Sequence, residues 1–163
     1  MTVLRHILSI LLLPATVTLA VPYVILSSRP FPPLSLAAAI LGALVIGCGL
    51  ALVLMTIRQF ATVGRGTLAP WDPPRHLVVA GIYRHVRNPM ISGVILILLG
   101  EALVFRSIGL LQWALGFLVI NVIYIPLLEE PMLEGRFGDE YRQYKRHVPR
   151  WVPRRTAWMP PWA

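Results

Sequence analysis

Four stretches of this chain are almost free of charge and approach the thickness of a bilayer's hydrocarbon core. They cover residues 7–26, 34–57, 90–105 and 108–128. A helix needs about 20 apolar residues to cross that core, and in lipid every backbone donor and acceptor must be satisfied within the structure. The pattern predicts an all-α integral membrane bundle of about four transmembrane helices. The second stretch is the cleanest, and its Gly42, Gly47 and Gly49 suit close helix contact. Only Arg106 and Ser107 separate the third stretch from the fourth, which predicts a tight antiparallel hairpin. The first stretch carries Pro14 and Pro22. Arg5 ahead of it and Thr18-Leu19-Ala20 within it resemble a signal peptide, but the apolar run continues to Leu26, which favours a retained helix.

Composition narrows the function classes. Only 13% of the residues are charged and 56% are hydrophobic, against about 25% charged in an ordinary soluble domain. Disorder, a coiled coil and a nucleic-acid-binding domain all need more charge, so no nucleic-acid partner is expected. The net charge of +8 sets topology instead. With four spans, thirteen of the fifteen basic residues fall on one side, leaving Arg29 and Arg106 on the other. The positive-inside rule then places both termini and the loop over 58–89 in the cytoplasm of a multi-pass cell (inner) membrane protein. The single cysteine, Cys48, excludes an internal disulfide and reads as a small buried hydrophobe. His6, His76, His85 and His147 are scattered, so no metal site is expected, and His85 reads as a loop residue facing water or headgroups.

The basic tail is patterned. Leu133, Phe137, Tyr141, Tyr144 and Val148 recur every three or four residues, which predicts an amphipathic helix starting at Pro131 and stopped by Pro149. Beyond it, Trp151, Trp158 and Trp162 among Arg and Pro read as a segment at the headgroups. Asn121, in mid-helix, is expected to hydrogen-bond across the bundle, and Glu101 to reach the interface or Arg106.

Two places interrupt the apolar pattern. Asn88-Pro89 suits a helix start, and the free amides of that first turn favour an anion such as a carboxylate. Glu129-Glu130 closes the fourth stretch, where two adjacent carboxylates are costly unless paired or wet. The hairpin brings both places to the cytoplasmic face. Amides and Arg at one end and carboxylates at the other suit a zwitterionic cation, of which S-adenosylmethionine is an example.

Three pieces carry a resemblance. They are Gly81-x-Tyr83-x-x-x-Arg87-Asn88-Pro89-x-x-x-Gly93, Glu129-Glu130-x-x-Leu133, and Phe137-Gly138-x-x-Tyr141-x-x-Tyr144 running into Val148-Pro149-Arg150. In order and spacing they resemble the isoprenylcysteine carboxyl methyltransferase and phospholipid methyltransferase group of membrane enzymes. The resemblance implies an S-adenosylmethionine-dependent methyltransferase acting on a lipidic or small hydrophobic acceptor drawn from the bilayer. It implies that Tyr83, Arg87, Asn88, Pro89, Met90 and Gly93 line the cofactor pocket. Glu129 and Glu130 would hold the cofactor's polar groups, and Tyr141 and Tyr144 would close over it. If the acceptor is an amine, Glu129, Glu130 or Tyr141 would assist its deprotonation. Asn88 stands where the group usually has His, and Ile91 where it often has Tyr. No Arg stands shortly before the Glu pair, where the chain reads Asn121-Val122-Ile123-Tyr124-Ile125-Pro126-Leu127-Leu128, which argues against a prenylcysteine carboxylate as acceptor. The chain reads as a single membrane domain: two N-terminal helices over 1–57, a cytoplasmic loop over 58–89, and the methyltransferase-like hairpin and tail over 90–163. A second reading is a non-catalytic transporter or assembly partner on the same helices.

Overall fold

A computed structural model describes residues 11–27, 33, 35–64 and 76–162; Arg5, His6, Arg29, Arg65 and Arg75 lie outside the described residues. Among the described residues the chain is helical and contains no strand. Helix α1 is wound as a π-helix over Leu11–Ala20 and continues as an α-helix over Val21–Ser27. Helix α2 is Leu36–Gln59, extended by a π-wound turn, Phe60–Gly64. A short 3₁₀ turn, Gly81–Arg84, precedes α3, Pro89–Val104. Helix α4 is Ile108–Tyr124; it runs through a π-wound turn, Ile125–Glu129, into α5, Glu130–Phe137. Helix α6 is Asp139–His147.

The helix starts follow local chemistry. Ser35 and Ser107 accept hydrogen bonds from the amides of Ala38 and Leu110, capping α2 and α4. Arg106, at φ 48°, turns the chain between α3 and α4. Its guanidinium donates to the Pro33 carbonyl at 3.2 Å. Among the described residues Glu101 makes no bond to Arg106, one of its two expected destinations, and its Oε2 is buried without a hydrogen bond.

Two helices are long and apolar enough to cross a membrane, Leu36–Gly64 and Ile108–Phe137. In each, only 22% of the apolar window is buried inside the protein. A core helix of a soluble fold is mostly buried, so these exposed apolar faces suit lipid. Leu36, Leu44, Leu54, Ile120 and Leu127 are among the large apolar side chains left exposed along them. Cys48 is exposed too, not buried as expected, because it turns away from α3.

The tightest packing joins α2 and α3 in antiparallel array. A Cβ added at Gly49 would meet the Gly93 carbonyl oxygen at 2.6 Å, and one at Gly42 the Gly100 oxygen at 2.7 Å. Glycine is required at these positions because backbone meets backbone. Gly47 departs from expectation, with nothing within 4 Å of an added Cβ. Gly93→Ala is therefore expected to cost about 1–3 kcal/mol by overpacking, and Gly47→Ala less than about 0.5 kcal/mol. Thermal unfolding of the two variants in detergent checks the contrast.

Val53, Val94, Ile97, Leu98 and Ala114 form the membrane core, against which Val17 of α1 and Phe117 of α4 pack. Trp113 Nε1 donates to the Val17 carbonyl at 3.1 Å and ties α4 to α1. Asn121 differs from expectation. Its Nδ2 donates to the Phe117 carbonyl of its own helix at 2.8 Å, with no bond across the bundle among the described residues.

The tail departs further. No helix begins at Pro131. The α4 helix carries on past the Glu pair to Phe137, because the π-wound turn accommodates the donors missing at Pro126 and Pro131. The break comes at Gly138, whose φ of 54° glycine adopts readily. The expected apolar face survives the break: Leu133, Phe137, Tyr141, Tyr144 and Val148 share a second core with Val79 and Trp158.

Residues 149–158 form a strap along the loop before α3. Arg87 N donates to Pro149 O at 2.9 Å, Arg154 N to His85 O at 2.9 Å, and Trp158 N to Arg84 O at 3.0 Å. His85 faces the strap rather than water, its Nδ1 donating to Arg154 O at 2.8 Å. Trp158 likewise packs on protein, stacked on His147 with ring centroids 5.1 Å apart.

Candidate active site

A cavity of about 580 Å³ lies where the helices meet the second core. Small-molecule pockets span about 300–1,000 Å³. At its apolar end, α1 contributes Pro14 and Val17, α3 Val94, and α4 Phe117 and Asn121. At its polar end stand Tyr83, Arg87, Asn88, Glu129, Tyr141 and Tyr144. Met90 also lies on the wall.

Three of the expected pocket residues are not on that wall. Pro89 is buried at the first turn of α3. Gly93 faces Gly49 of α2, so its missing side chain admits a backbone and not a ligand. Glu130 lies behind the wall at 2% exposure. Its Oε1 accepts from Arg87 Nη1 at 2.8 Å and from Arg150 Nε at 2.7 Å. Lys145 Nζ stands 3.4 Å from its Oε2 and also pairs with Glu134. Three cations around one buried carboxylate supply the pairing that a buried charge requires.

Glu129, one residue earlier, is on the wall, with no ion pair or hydrogen bond to its carboxylate among the described residues. The pair predicted from sequence is thus split by the helix surface. The reason is local: both residues lie within the continuous helical run Ile108–Phe137, so successive side chains point in different directions.

Asn88 holds the N-cap position of α3 but makes no side-chain cap hydrogen bond. Its carbonyl accepts from Ser92 N at 3.1 Å and Ser92 Oγ at 3.0 Å. Its Nδ2 is buried without a partner, as is Arg87 Nε.

Tyr144 Oη donates to the Tyr83 carbonyl at 2.8 Å, which fixes α6 against the 3₁₀ turn. Burial raises the phenol of Tyr83 well above its ordinary range and that of Tyr144 likewise. Burial pushes Tyr141 up to about 12, and the Glu130 carboxylate adds to the effect. All three remain O–H donors at neutral pH, so Tyr141 is poorly suited to abstract a proton directly. Arg150 is held more firmly protonated by its bond to Glu130, and Lys145 chiefly by Glu134.

His76 and Asn121 also line the cavity. The sequence points to neither: Asn121 reads as a structural residue in an apolar helix, and His76 is one of four scattered histidines. No group of three His, Cys, Asp or Glu side chains that could hold a metal ion occurs among the described residues.

The family model for phospholipid methyltransferase matches residues 37–140, from the start of α2 to the start of α6. The chain belongs to the phospholipid methyltransferase family. A membrane methyltransferase is what that family and these apolar helices together describe. An uncharacterized protein of Haemophilus influenzae is 44% identical over 64 residues, covering 39% of this chain and all of the relative. No solved structure matches the chain. The match to the phospholipid methyltransferase family takes in Arg87, Asn88, Glu129 and Glu130 and ends one residue short of Tyr141.

Proposed function

We propose that this protein is an S-adenosylmethionine-dependent methyltransferase whose acceptor is a lipid or small hydrophobic molecule. The observation that carries the proposal is the polarity of one cavity. Arg87, Asn88 and Glu129, whose carboxylate has no ion pair among the described residues, share one cavity wall with the apolar Val17, Val94 and Phe117. The residue set suits a zwitterionic cation: Arg87 and Asn88 would meet a carboxylate, and Glu129 a cationic group.

When bound, S-adenosylmethionine supplies a methyl group already activated on a sulfonium. The protein's work is then positioning and exclusion of water. Tyr83, Tyr141 and Tyr144 close the polar end with neutral rings. Val94, Phe117 and Asn121 leave room for an apolar acceptor body between α1 and α4. An amine acceptor must lose a proton, and a Glu129 oxygen is the placed base for it. A carboxylate or other anionic acceptor needs none.

The reading extends to the whole chain as one membrane domain. The two shorter apolar helices, Pro14–Ser27 and Pro89–Val104, would bring the number of spans to four. The basic residues concentrated in the loop and tail hold both termini, and the polar end of the cavity, on the cytoplasmic side.

The direct test incubates membranes containing the protein with radiolabelled methyl donor. Label is expected in the lipid fraction, and base treatment distinguishes an ester from a stable N-methyl group. Label absent from lipid and from small hydrophobic extracts, with the protein folded, overturns the proposal. The transporter or scaffold alternative predicts that absence.

A further inference from the structure

Glu130 joins three separate pieces of chain. Arg87 comes from the loop before α3, Lys145 from α6 and Arg150 from the strap, and all reach one carboxylate. The strap's backbone lies along the same loop, with Arg87 itself donating its amide to Pro149. Arg87 is therefore held twice, by its side chain to Glu130 and by its backbone to the strap. Its Nε remains unpartnered, and the residue lines the cavity. Glu130 reaches no part of the cavity wall.

We infer that Glu130 is a positioning residue that clamps the strap across the loop and so aims Arg87 into the cavity, while Glu129 is the carboxylate that meets the ligand. The two acidic neighbours have different jobs. The clamp also gives the strap a role: Arg150 and residues 149–158 lie beyond the segment that the family model matches, and through Arg87 they act on the polar end of the site. The inference rests on the reading of the cavity as the methyl-donor site for its effect on binding, but the clamp itself is testable without any ligand.

The experiment uses the full chain in detergent, as wild type, E130Q, R150Q, the E130Q/R150Q pair and E129Q. Arg150 is partly exposed, with 30% of its side chain accessible, so R150Q keeps the clamp testable if E130Q does not fold. Trypsin cleavage at Arg155, without ligand, reports strap release. Calorimetry with S-adenosylhomocysteine reports the site.

Losing a hydrogen bond between charged groups corresponds to about a tenfold change or more. Both E130Q and R150Q are expected to speed cleavage by about that factor and to weaken binding. The pair should be no worse than E130Q alone, because both changes remove one contact. E129Q should weaken binding and leave cleavage unchanged. In turnover, E130Q should raise KM for the methyl donor and leave kcat within about twofold, as expected for lost uniform binding.

Three results overturn the inference: weaker binding by E130Q with cleavage unchanged, losses from E130Q and R150Q that multiply, or a collapse of kcat at constant KM. If wild type binds no S-adenosylhomocysteine, the methyl-donor reading falls, and the cleavage arm still decides the clamp.

Discussion

Glu129→Gln should weaken S-adenosylhomocysteine binding about 10- to 100-fold while leaving the melting temperature in detergent nearly unchanged. Glutamine keeps the size and most of the hydrogen-bonding capacity of glutamate and removes only the charge. Glu129 lies on the cavity wall and has no ion pair to lose among the described residues, so the fold has little stake in it. A hydrogen bond to a charged group contributes about 1.5–3 kcal/mol, which sets the expected range. Calorimetry on the variant checks it beside a thermal scan. Unchanged affinity would remove Glu129 from the site, and a large drop in melting temperature would assign it a structural role instead.

Arg87→Leu should have the opposite signature in stability, costing about 3 kcal/mol. Arg87 and Glu130 have 9% and 3% of their side chains exposed, and removing one partner of a buried pair leaves a charge uncompensated. Lys145 and Arg150 still reach Glu130, which places the cost at the lower end of the usual range of about 3–5 kcal/mol. Adding Glu130→Leu to Arg87→Leu should recover only part of the loss, because it relieves the uncompensated charge but also breaks the contacts that Lys145 and Arg150 make to the same carboxylate. Chemical denaturation of the three variants measures this. A double variant as stable as wild type would show that the contacts of Lys145 and Arg150 to the carboxylate contribute nothing to stability.

The parts of the fold most legible in sequence are those set by long uniform runs. The charge-free stretch over 34–57 and the α2 bounds Leu36–Gln59 differ by two residues at each end, because lipid demands a continuous helix and nothing inside the run interrupts it. Pro131 misled for a related reason. Proline at a helix start and proline after a π-wound turn look alike in sequence, since each merely lacks one donor. Gly138 was the truer punctuation, and only its positive φ reveals it.

The candidate site was legible as chemistry but not as geometry. Arg87, Asn88 and the Glu pair stand out as polar groups at the edge of apolar runs. Which of two adjacent carboxylates meets a cavity and which meets three cations depends on where α6 and the strap fold back, and those contacts lie 15 and 20 residues downstream of Glu130. Asn121 and His76 stayed hidden because each stands alone in sequence and gains a neighbour only across the cavity.

The π-wound turn at Ile125–Glu129 has an evolutionary reading. Such a turn holds one more residue than an α-helical one, and it falls between the lipid-facing part of α4 and the polar part that begins at the Glu pair. It works as a gear between two halves of a single helix. The membrane half is free to answer to bilayer thickness and lipid composition. The polar half keeps its own rotational setting, so its residues can drift toward a new ligand without turning a charge into lipid. Deleting one residue within the turn would engage the two halves again and rotate Glu129 and Glu130 together off their present bearings.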